Sequence, residues 1–194
     1  MRGWRRLLFT CVAAASIAAA GCGDPPDREI QQAQGAIDAA RAAGAAEYAA
    51  DEFAGAETAL KSAQTAVAQR DYRLALNLAL DSRERAQNAA KEAADHKAAA
   101  RSAADRALAA ATAALDMARA RLRTAEAAHV SPRSLAAPRR TIADAGSAVQ
   151  KARTAVERGT YLGIPERVGP LTARLNEAAR ELEAATAPAS RRRR

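Results

Sequence analysis

The chain has 194 residues, of which 59 are alanine and only 3% are aromatic. Alanine is the strongest helix former but buries little apolar area, so this composition favours long helices that pack closely together. The formal net charge of +8 is unevenly spread: residues 22–100 carry 9 basic and 13 acidic side chains, and residues 101–190 carry 14 and 9. The composition therefore predicts an all-α chain whose two halves differ in the sign of their charge.

The first 21 residues are organised like a secretory signal peptide. Arg2, Arg5 and Arg6 give a positive start, and the uncharged, mostly apolar residues 7–20 follow. That apolar run is shorter than the ~20 residues that a membrane-spanning helix needs. We therefore expect residues 1–21 to direct export and to be removed. The pair Arg5-Arg6 also leaves a twin-arginine signal open, although the flanking residues fit it poorly.

Small residues lead up to a cysteine at the end of this segment: Ala19, Ala20, Gly21, Cys22. The four residues resemble the bacterial lipobox, in which the cysteine becomes the first residue and carries a diacylglyceryl group and a further acyl chain such as palmitate. The resemblance implies that Cys22 anchors the chain to a membrane. Gly23, not aspartate, follows, which in such lipoproteins implies the outer membrane, facing the periplasm.

An ordinary A-x-A cleavage site at residues 18–20 is the alternative, and it would release a soluble periplasmic protein. Export by either route would also remove Cys11 with the signal. A lipidated Cys22 has no free thiol, so we expect neither a disulfide nor thiol chemistry in the mature chain.

The body of the chain begins after a short spacer, residues 22–27, that contains Pro25 and Pro26. Apolar residues then recur at steps of three and four, which places them on one stripe of each helix. Large residues mostly alternate with alanine along these stripes, so the helix axes can approach closely. The four stripes are Ile30, Ala33, Ile37, Ala40; Phe53, Ala56, Leu60, Ala63, Val67; Ile142, Ala145, Val149, Ala152, Val156; and Val168, Leu171, Leu175, Ala178, Leu182, Ala185.

Residues 72–128 contain neither proline nor glycine and predict a long central helix, whose continuity the sequence leaves open. Leu108, Leu115 and Leu122 form its clearest heptad, which also fits self-association as a homo-oligomeric coiled coil. Residues 86–104 have almost no large apolar side chain, so we expect a poorly packed, bendable junction there.

An internal duplication is indicated by residues 50–72 and 139–161, which align without a gap. Both segments contain Thr-Ala-Val followed five residues later by tyrosine. The alignment predicts two related units, 28–100 and 101–187, built as elongated helical hairpins or three-helix bundles that share the long central helix.

Helix boundaries are predicted from caps and breakers. The predictions are an end at Gly44, caps at Asp51 and Asp71, a loop over residues 129–138 with Pro132 and Pro138 as breakers, a turn over residues 159–165, and a last helix that is nicked at Gly169-Pro170 or begins at Pro170.

Residues 42–49 (AAGAAEYA) and 71–79 (DYRLALNLA) resemble a domain of unknown function found in alanine-rich bacterial envelope lipoproteins, sometimes ahead of a peptidoglycan-binding domain of the outer-membrane-protein-A type. The resemblance covers residues 28–100, and the chain departs from it at Arg70, where the family commonly has glycine. It implies a location and a helical fold, but no activity.

Catalytic and metal-binding patterns are weak throughout. The two histidines, His96 and His129, have no carboxylate or cysteine at ligand spacing, and we find neither a phosphate-binding loop nor a Ser-His-Asp arrangement,. Tyr48, Tyr72 and Tyr161 fit packing at helix turns better than ligand binding. We expect no enzyme activity, no metal and no cofactor.

The last residues, 188–194, predict a disordered basic tail that ends in Arg191, Arg192, Arg193 and Arg194. Four adjacent guanidinium groups suit the phosphates of lipopolysaccharide or an anionic lipid. Nucleic acid is not expected as a partner, because an exported protein meets no genome. The sequence favours a non-enzymatic, lipid-anchored scaffold or adaptor that contacts envelope proteins; a carrier or chaperone for an apolar ligand or client, and a histone-like DNA-binding protein, are the alternatives.

Overall fold

The computed structural model describes residues 24–187, and all regular structure in this range is helical. The helices are α1 (Asp27–Ala43), α2 (Ala45–Tyr48), α3 (Ala50–Ala68), α4 (Tyr72–Ala127), α5 (Pro132–Glu157) and α6 (Ile164–Thr186). None of them combines the length and apolar character that crossing a membrane requires. The all-α fold predicted from composition and periodicity is confirmed.

The chain forms two compact units that divide between Ala94 and Asp95, inside α4. Unit 1 contains α1, α2, α3 and the first part of α4, and unit 2 contains the rest of α4, α5 and α6. The division lies six residues before the boundary expected after residue 100, and within the predicted junction. Ala86, Ala89 and Ala93 are fully buried, so the poorly packed stretch predicted over residues 86–104 is wrong in its first half. Between Ala93 and Ala104 no residue of α4 is buried, as predicted.

The start of unit 1 follows one prediction and departs from another. Gly44 ends α1 in the left-handed conformation (φ 92°), as predicted. The cap predicted at Asp51 is wrong, because α3 begins at Ala50 after the non-helical Ala49. The sequence did not reveal the short helix α2. Only Ala49 separates α2 from α3, so α3 begins before Asp51. Asp51 therefore lies in the first turn, where a carboxylate favours the positive end of the helix dipole.

Within residues 24–94, the core of unit 1 consists largely of alanine and contains one fully buried polar side chain, Ser82. Its Oγ donates to the carbonyl of Ala56 at 2.8 Å and so joins α4 to α3. The predicted stripes of α1 and α3 face this core. Their buried members are Ala33, Ile37, Ala40, Phe53, Ala56, Leu60 and Ala63.

Helices α3 and α5 end in the same way. The amides of Arg70 and Asp71 donate to the carbonyls of Val67 and Ala66, each at 2.9 Å. At the end of α5 the corresponding amides, of Gly159 and Thr160, donate to Val156 and Ala155, again at 2.9 Å. This is the double hydrogen bond of a Schellman cap, which requires a left-handed residue. The two ends occupy equivalent positions of the aligned segments 50–72 and 139–161, whereas the starts differ, since α3 begins at Ala50 and α5 already at Pro132.

Helix α4 begins as predicted, because the amide of Leu74 donates to Oδ1 of the cap residue Asp71 at 3.0 Å. It runs without a break to Ala127, a continuity that the sequence had left open. It then ends in a third Schellman cap, in which His129 takes the left-handed position (φ 57°).

Two prolines in unit 2 lie inside helices, where breaks were predicted. The loop expected over residues 129–138 is wrong from residue 132 onward: Ser131 caps α5, Pro132 is its first residue, and Pro138 lies inside it. The start expected at Pro170 is also wrong, because α6 begins at Ile164 and continues through Pro170. Pro138 is buried, so the packing of its ring offsets part of the lost backbone hydrogen bond,.

The core of unit 2 contains more large aliphatic side chains than that of unit 1. Leu135, Ile164, Leu175 and Leu182 are each at most 2% exposed. The leucine heptad of α4 also packs here: Leu115 is buried, and Leu108 and Leu122 are partly buried against the same cluster. That heptad therefore serves the core of the unit.

Candidate functional site

The residues with the strongest functional signal lie outside the described part of the chain. They are Ala19, Ala20, Gly21 and Cys22 of the lipobox, and Arg191, Arg192, Arg193 and Arg194 of the tail. The structure does show where the body begins. Helix α1 starts at Asp27, whose amide donates to the carbonyl of Pro25 at 2.9 Å. The predicted spacer is thus one residue too long, and residues 23–26 alone separate Cys22 from the first helix.

The two histidines occupy separate positions on and after α4. His96 is exposed in the unburied stretch of α4, and His129 is exposed at the cap that ends the helix. No three His, Cys, Asp or Glu side chains within residues 24–187 are grouped as a metal ion would require.

The three tyrosines lie beside helix ends, as their spacing suggested. Tyr48 is 8% exposed, and its ring lies close to the left-handed Gly44. A Cβ atom added to Gly44 would lie 3.4 Å from Cδ2 of Tyr48. Tyr161 packs against the core of unit 2, and Tyr72 begins α4 and is half-buried. These positions suit packing at turns.

In unit 1, Arg41 joins α1 to α3. Its guanidinium pairs with Glu57 at 2.7 Å and Asp38 at 2.9 Å, and it lies over the Phe53 ring, 5.4 Å from the centroid. The hydrogen bond with Glu57, followed by the nearby carboxylate charges, raises the pKa of Arg41 despite some desolvation. Both partners are about half exposed, so water screens the pair,. The shallow groove between the two helices is lined by this pair and by Lys61.

Arg85 has the same role between α4 and α3. It pairs with Asp81 at 3.0 Å within α4 and with Glu52 of α3 at 3.6 Å. The hydrogen bond with Asp81 is the main cause that raises the pKa of Arg85. Gly55 leaves room for this side chain, since an added Cβ would lie 3.2 Å from Nη1. These charged groups fasten helices to one another.

A different arrangement occurs in unit 2, where a groove of about 330 Å³ lies between α5 and α6. Its apolar lining comes from both helices, and two cations flank it. The lining residues are Ala148, Lys151, Ala152, Arg167, Val168 and Leu171. We call this the α5–α6 groove.

The two cations of the α5–α6 groove differ in their contacts. Arg167 donates through Nε to the carbonyl of Gly163 at 3.0 Å and through Nη2 to that of Leu162 at 3.2 Å, which fixes it at the turn before α6. Lys151 is in no ion pair with any residue of the described range 24–187. The sequence did not reveal this groove, because the lateral register of α5 and α6 is not visible in their separate stripes.

The apolar surface that remains exposed also differs from the expectation. With the leucine heptad in the core of unit 2, the exposed leucines of α4 lie in unit 1, at Leu74, Leu76 and Leu80. Leu76 and Leu80 are 37% and 39% exposed and, four residues apart, share one face of the helix,. Met117, in the part of α4 that belongs to unit 2, is also exposed. Leu76 and Leu80 are a neighbouring apolar pair on α4 that a partner can reach.

Arg41 and Arg85 of unit 1 pair with carboxylates across and along helices, whereas Lys151 and Arg167 both line a mostly apolar groove. No nucleophile and base have been brought together at either groove. Comparisons of the chain with protein-family models, curated proteins and solved structures found no match.

Proposed function

We propose that the chain is a non-enzymatic, lipid-anchored scaffold or adaptor of a bacterial cell envelope, held in the outer membrane by Cys22 and facing the periplasm. The observation that carries the proposal is the order of its first residues. A basic start and an apolar run lead to Ala-Ala-Gly-Cys, and α1 begins at Asp27, five positions after the cysteine. Three acyl chains exceed the two membrane signals that stable anchoring needs.

The body of the chain is suited to protein contacts. Unit 1 is a small helical bundle that presents Leu76 and Leu80 to solvent. The short spacer keeps this bundle close to the anchored cysteine. The resemblance of residues 28–100 to envelope lipoprotein domains supports the same location. The proposed partners are therefore envelope proteins.

The basic tail gives a second point of contact in this proposal. Arg191, Arg192, Arg193 and Arg194 would bind phosphate groups of lipopolysaccharide or anionic lipid, at ~1 kcal/mol per charge near an anionic surface,. A DNA-binding function is not favoured, because the charge excess of the body is small and the signal peptide directs the chain away from the nucleoid.

Metabolic labelling with palmitate tests the anchor. The chain should incorporate label and fractionate with membranes, and Cys22→Ser should abolish both. Cys11→Ser is the matched control, because it removes the other cysteine but leaves the lipobox intact. A chain that takes up no label, or that is labelled equally in Cys22→Ser, would contradict the anchor and favour cleavage at residues 18–20.

In-cell photo-crosslinking tests the scaffold. A photoreactive residue at Leu76 or Leu80 should capture envelope proteins, whereas one at the buried Leu115 should capture none. Crosslinks that join only copies of the chain would replace the adaptor with a homo-oligomer.

A further inference from the structure

The α5–α6 groove has the composition of a binding site for an amphiphile. Its volume of about 330 Å³ lies at the lower end of the ~300–1,000 Å³ found for ligand pockets,. Four of its six lining side chains are alanine, valine or leucine, and the other two are cations. Such sites use a mostly apolar lining with a few polar groups that orient the ligand.

Charge is what separates this groove from the one in unit 1. The groove between α1 and α3 is lined by the cations Arg41 and Lys61 and also by an acidic side chain, Glu57, which pairs with Arg41. In the α5–α6 groove Lys151 forms no ion pair with a residue of the described range, and no acidic side chain belongs to the lining. The positive charge there is complementary to an anion that the chain does not supply.

Arg167 supplies a positive charge whose position is fixed. Its contacts with the carbonyls of Leu162 and Gly163 use two of its five donors and hold the side chain at the turn,. A preorganised guanidinium gives up less conformational entropy when it binds an anion. Lys151, on α5, lines the same groove and adds a second positive charge, carried by a flexible side chain,.

We propose that the α5–α6 groove binds a fatty acid, with the carboxylate between Lys151 and Arg167 and the alkyl chain along Ala148, Ala152, Val168 and Leu171. Arg167 already donates to two carbonyls, so it has fewer donors left for a ligand. A carboxylate, with a single negative charge, suits Lys151 together with this partly engaged Arg167. An alkyl chain suits the alanine, valine and leucine side chains that line the rest of the groove. This inference does not depend on the anchor at Cys22.

Photolabelling of the full chain tests the proposal. The probe is dodecanoate with a diazirine at the end of its alkyl chain, added to whichever cell fraction contains the protein, so that failure of the anchor leaves the test intact. Mass spectrometry should place the crosslinks on α5 and α6 near Ala148 and Leu171. Unlabelled dodecanoate should compete, whereas dodecanol and dodecyltrimethylammonium should not.

Two variants with matched controls locate the site. Lys151→Gln should reduce labelling about five- to tenfold, as expected for the loss of one charge-assisted hydrogen bond. Arg153→Gln, which removes an exposed cation from the same helix, should leave it unchanged. Ala148→Phe should block the groove, and Ala143→Phe, at an exposed position of α5, should not.

Several results would overturn the proposal. Labelling that is unaffected by Lys151→Gln and by Ala148→Phe, or that maps to Leu76 and Leu80, would mean that the probe binds elsewhere. Equal competition by dodecanol would mean that the cations play no part. Stronger competition by a lysophospholipid than by dodecanoate would mean that the groove selects a phosphate head group, not a carboxylate.

Discussion

Arg70 and Gly159 hold equivalent places at the ends of α3 and α5, and both have a left-handed backbone, with φ of 61° and 82°. The amide of each donates to the carbonyl three residues before it, in Val67 and Val156. Glycine adopts this conformation without a steric penalty, whereas a side chain at the same φ costs ~1–2 kcal/mol. The two matching ends therefore differ in strain, and the end of α3 carries more.

Arg70→Gly should stabilise unit 1. The substitution removes the ~1–2 kcal/mol of steric strain that a left-handed arginine carries in the folded state. Glycine also makes the unfolded chain more flexible, which lowers stability by ~0.4–1 kcal/mol, a smaller amount. The expected net gain is ~0.5–1 kcal/mol in the free energy of unfolding, measured by urea denaturation followed by far-UV circular dichroism. Gln69→Gly is the matched control, because Gln69 has φ −83° and gains nothing from glycine. A loss of stability in Arg70→Gly would show that contacts of the arginine side chain outweigh the backbone strain.

The prolines of unit 2 give a graded prediction. Pro170 is exposed inside α6, so Pro170→Ala restores a backbone donor and removes the clash with the preceding turn,. We expect it to raise the free energy of unfolding by ~2 kcal/mol and the melting temperature by ~4–8 °C. Pro138→Ala should gain less, about 1 kcal/mol, because the buried ring loses packing,. Pro132→Ala, at the first position of α5, should change stability by under ~0.5 kcal/mol. Equal effects at all three positions would contradict this explanation.

Some of these features could be predicted from the sequence and others could not. The stripe from Phe53 to Ala63 was predictable because helical periodicity is a local property, and the Asp71 cap because it depends on a few adjacent residues. Pro138 was placed in a loop because the sequence shows the lost donor but not the core contacts that offset part of its cost. The α5–α6 groove was missed for a related reason: it depends on how two helices lie side by side, which alanine-rich seams leave open.

Ser82 is a second feature that periodicity alone did not identify. Substitutions by a smaller and by a larger residue test how much room this position leaves between α3 and α4. The side chain is fully buried and reaches the carbonyl of Ala56 at 2.8 Å, where α4 and α3 approach closely. Ser82→Ala should cost no more than ~1 kcal/mol, because the carbonyl of Ala56 also belongs to its own helix. Ser82→Leu should cost ~2–3 kcal/mol, because it forces the helices apart.

The exposed Ser102 of α4 provides the control, since Ser102→Leu should change stability by less than ~0.5 kcal/mol,. Thermal unfolding of the three variants checks the order. If Ser82→Leu were as stable as Ser102→Leu, the contact between α3 and α4 would be looser than the 2.8 Å hydrogen bond indicates.

The ion pair between Arg41 and Glu57 should respond to salt in a way that pairs within one helix do not. Glu57→Gln removes a contact between α1 and α3, and we expect it to lower the melting temperature by ~1–3 °C at low ionic strength. At 1 M salt the screening length falls to ~3 Å, so the difference from the unmodified chain should shrink. Glu177→Gln is the matched control, because Glu177 pairs with Arg180 within α6 and joins no second helix.

The pH dependence of this difference follows from Arg41. Its pKa is raised above the ordinary value, so the stabilisation is fully present below that value and is lost only as pH rises through the higher, folded-state value,. From neutral to mildly alkaline pH the effect of Glu57→Gln should therefore stay constant. A decrease over that interval would mean that another group titrates beside the pair, and equal salt sensitivity of the two glutamate variants would mean that the pair does not join α1 to α3.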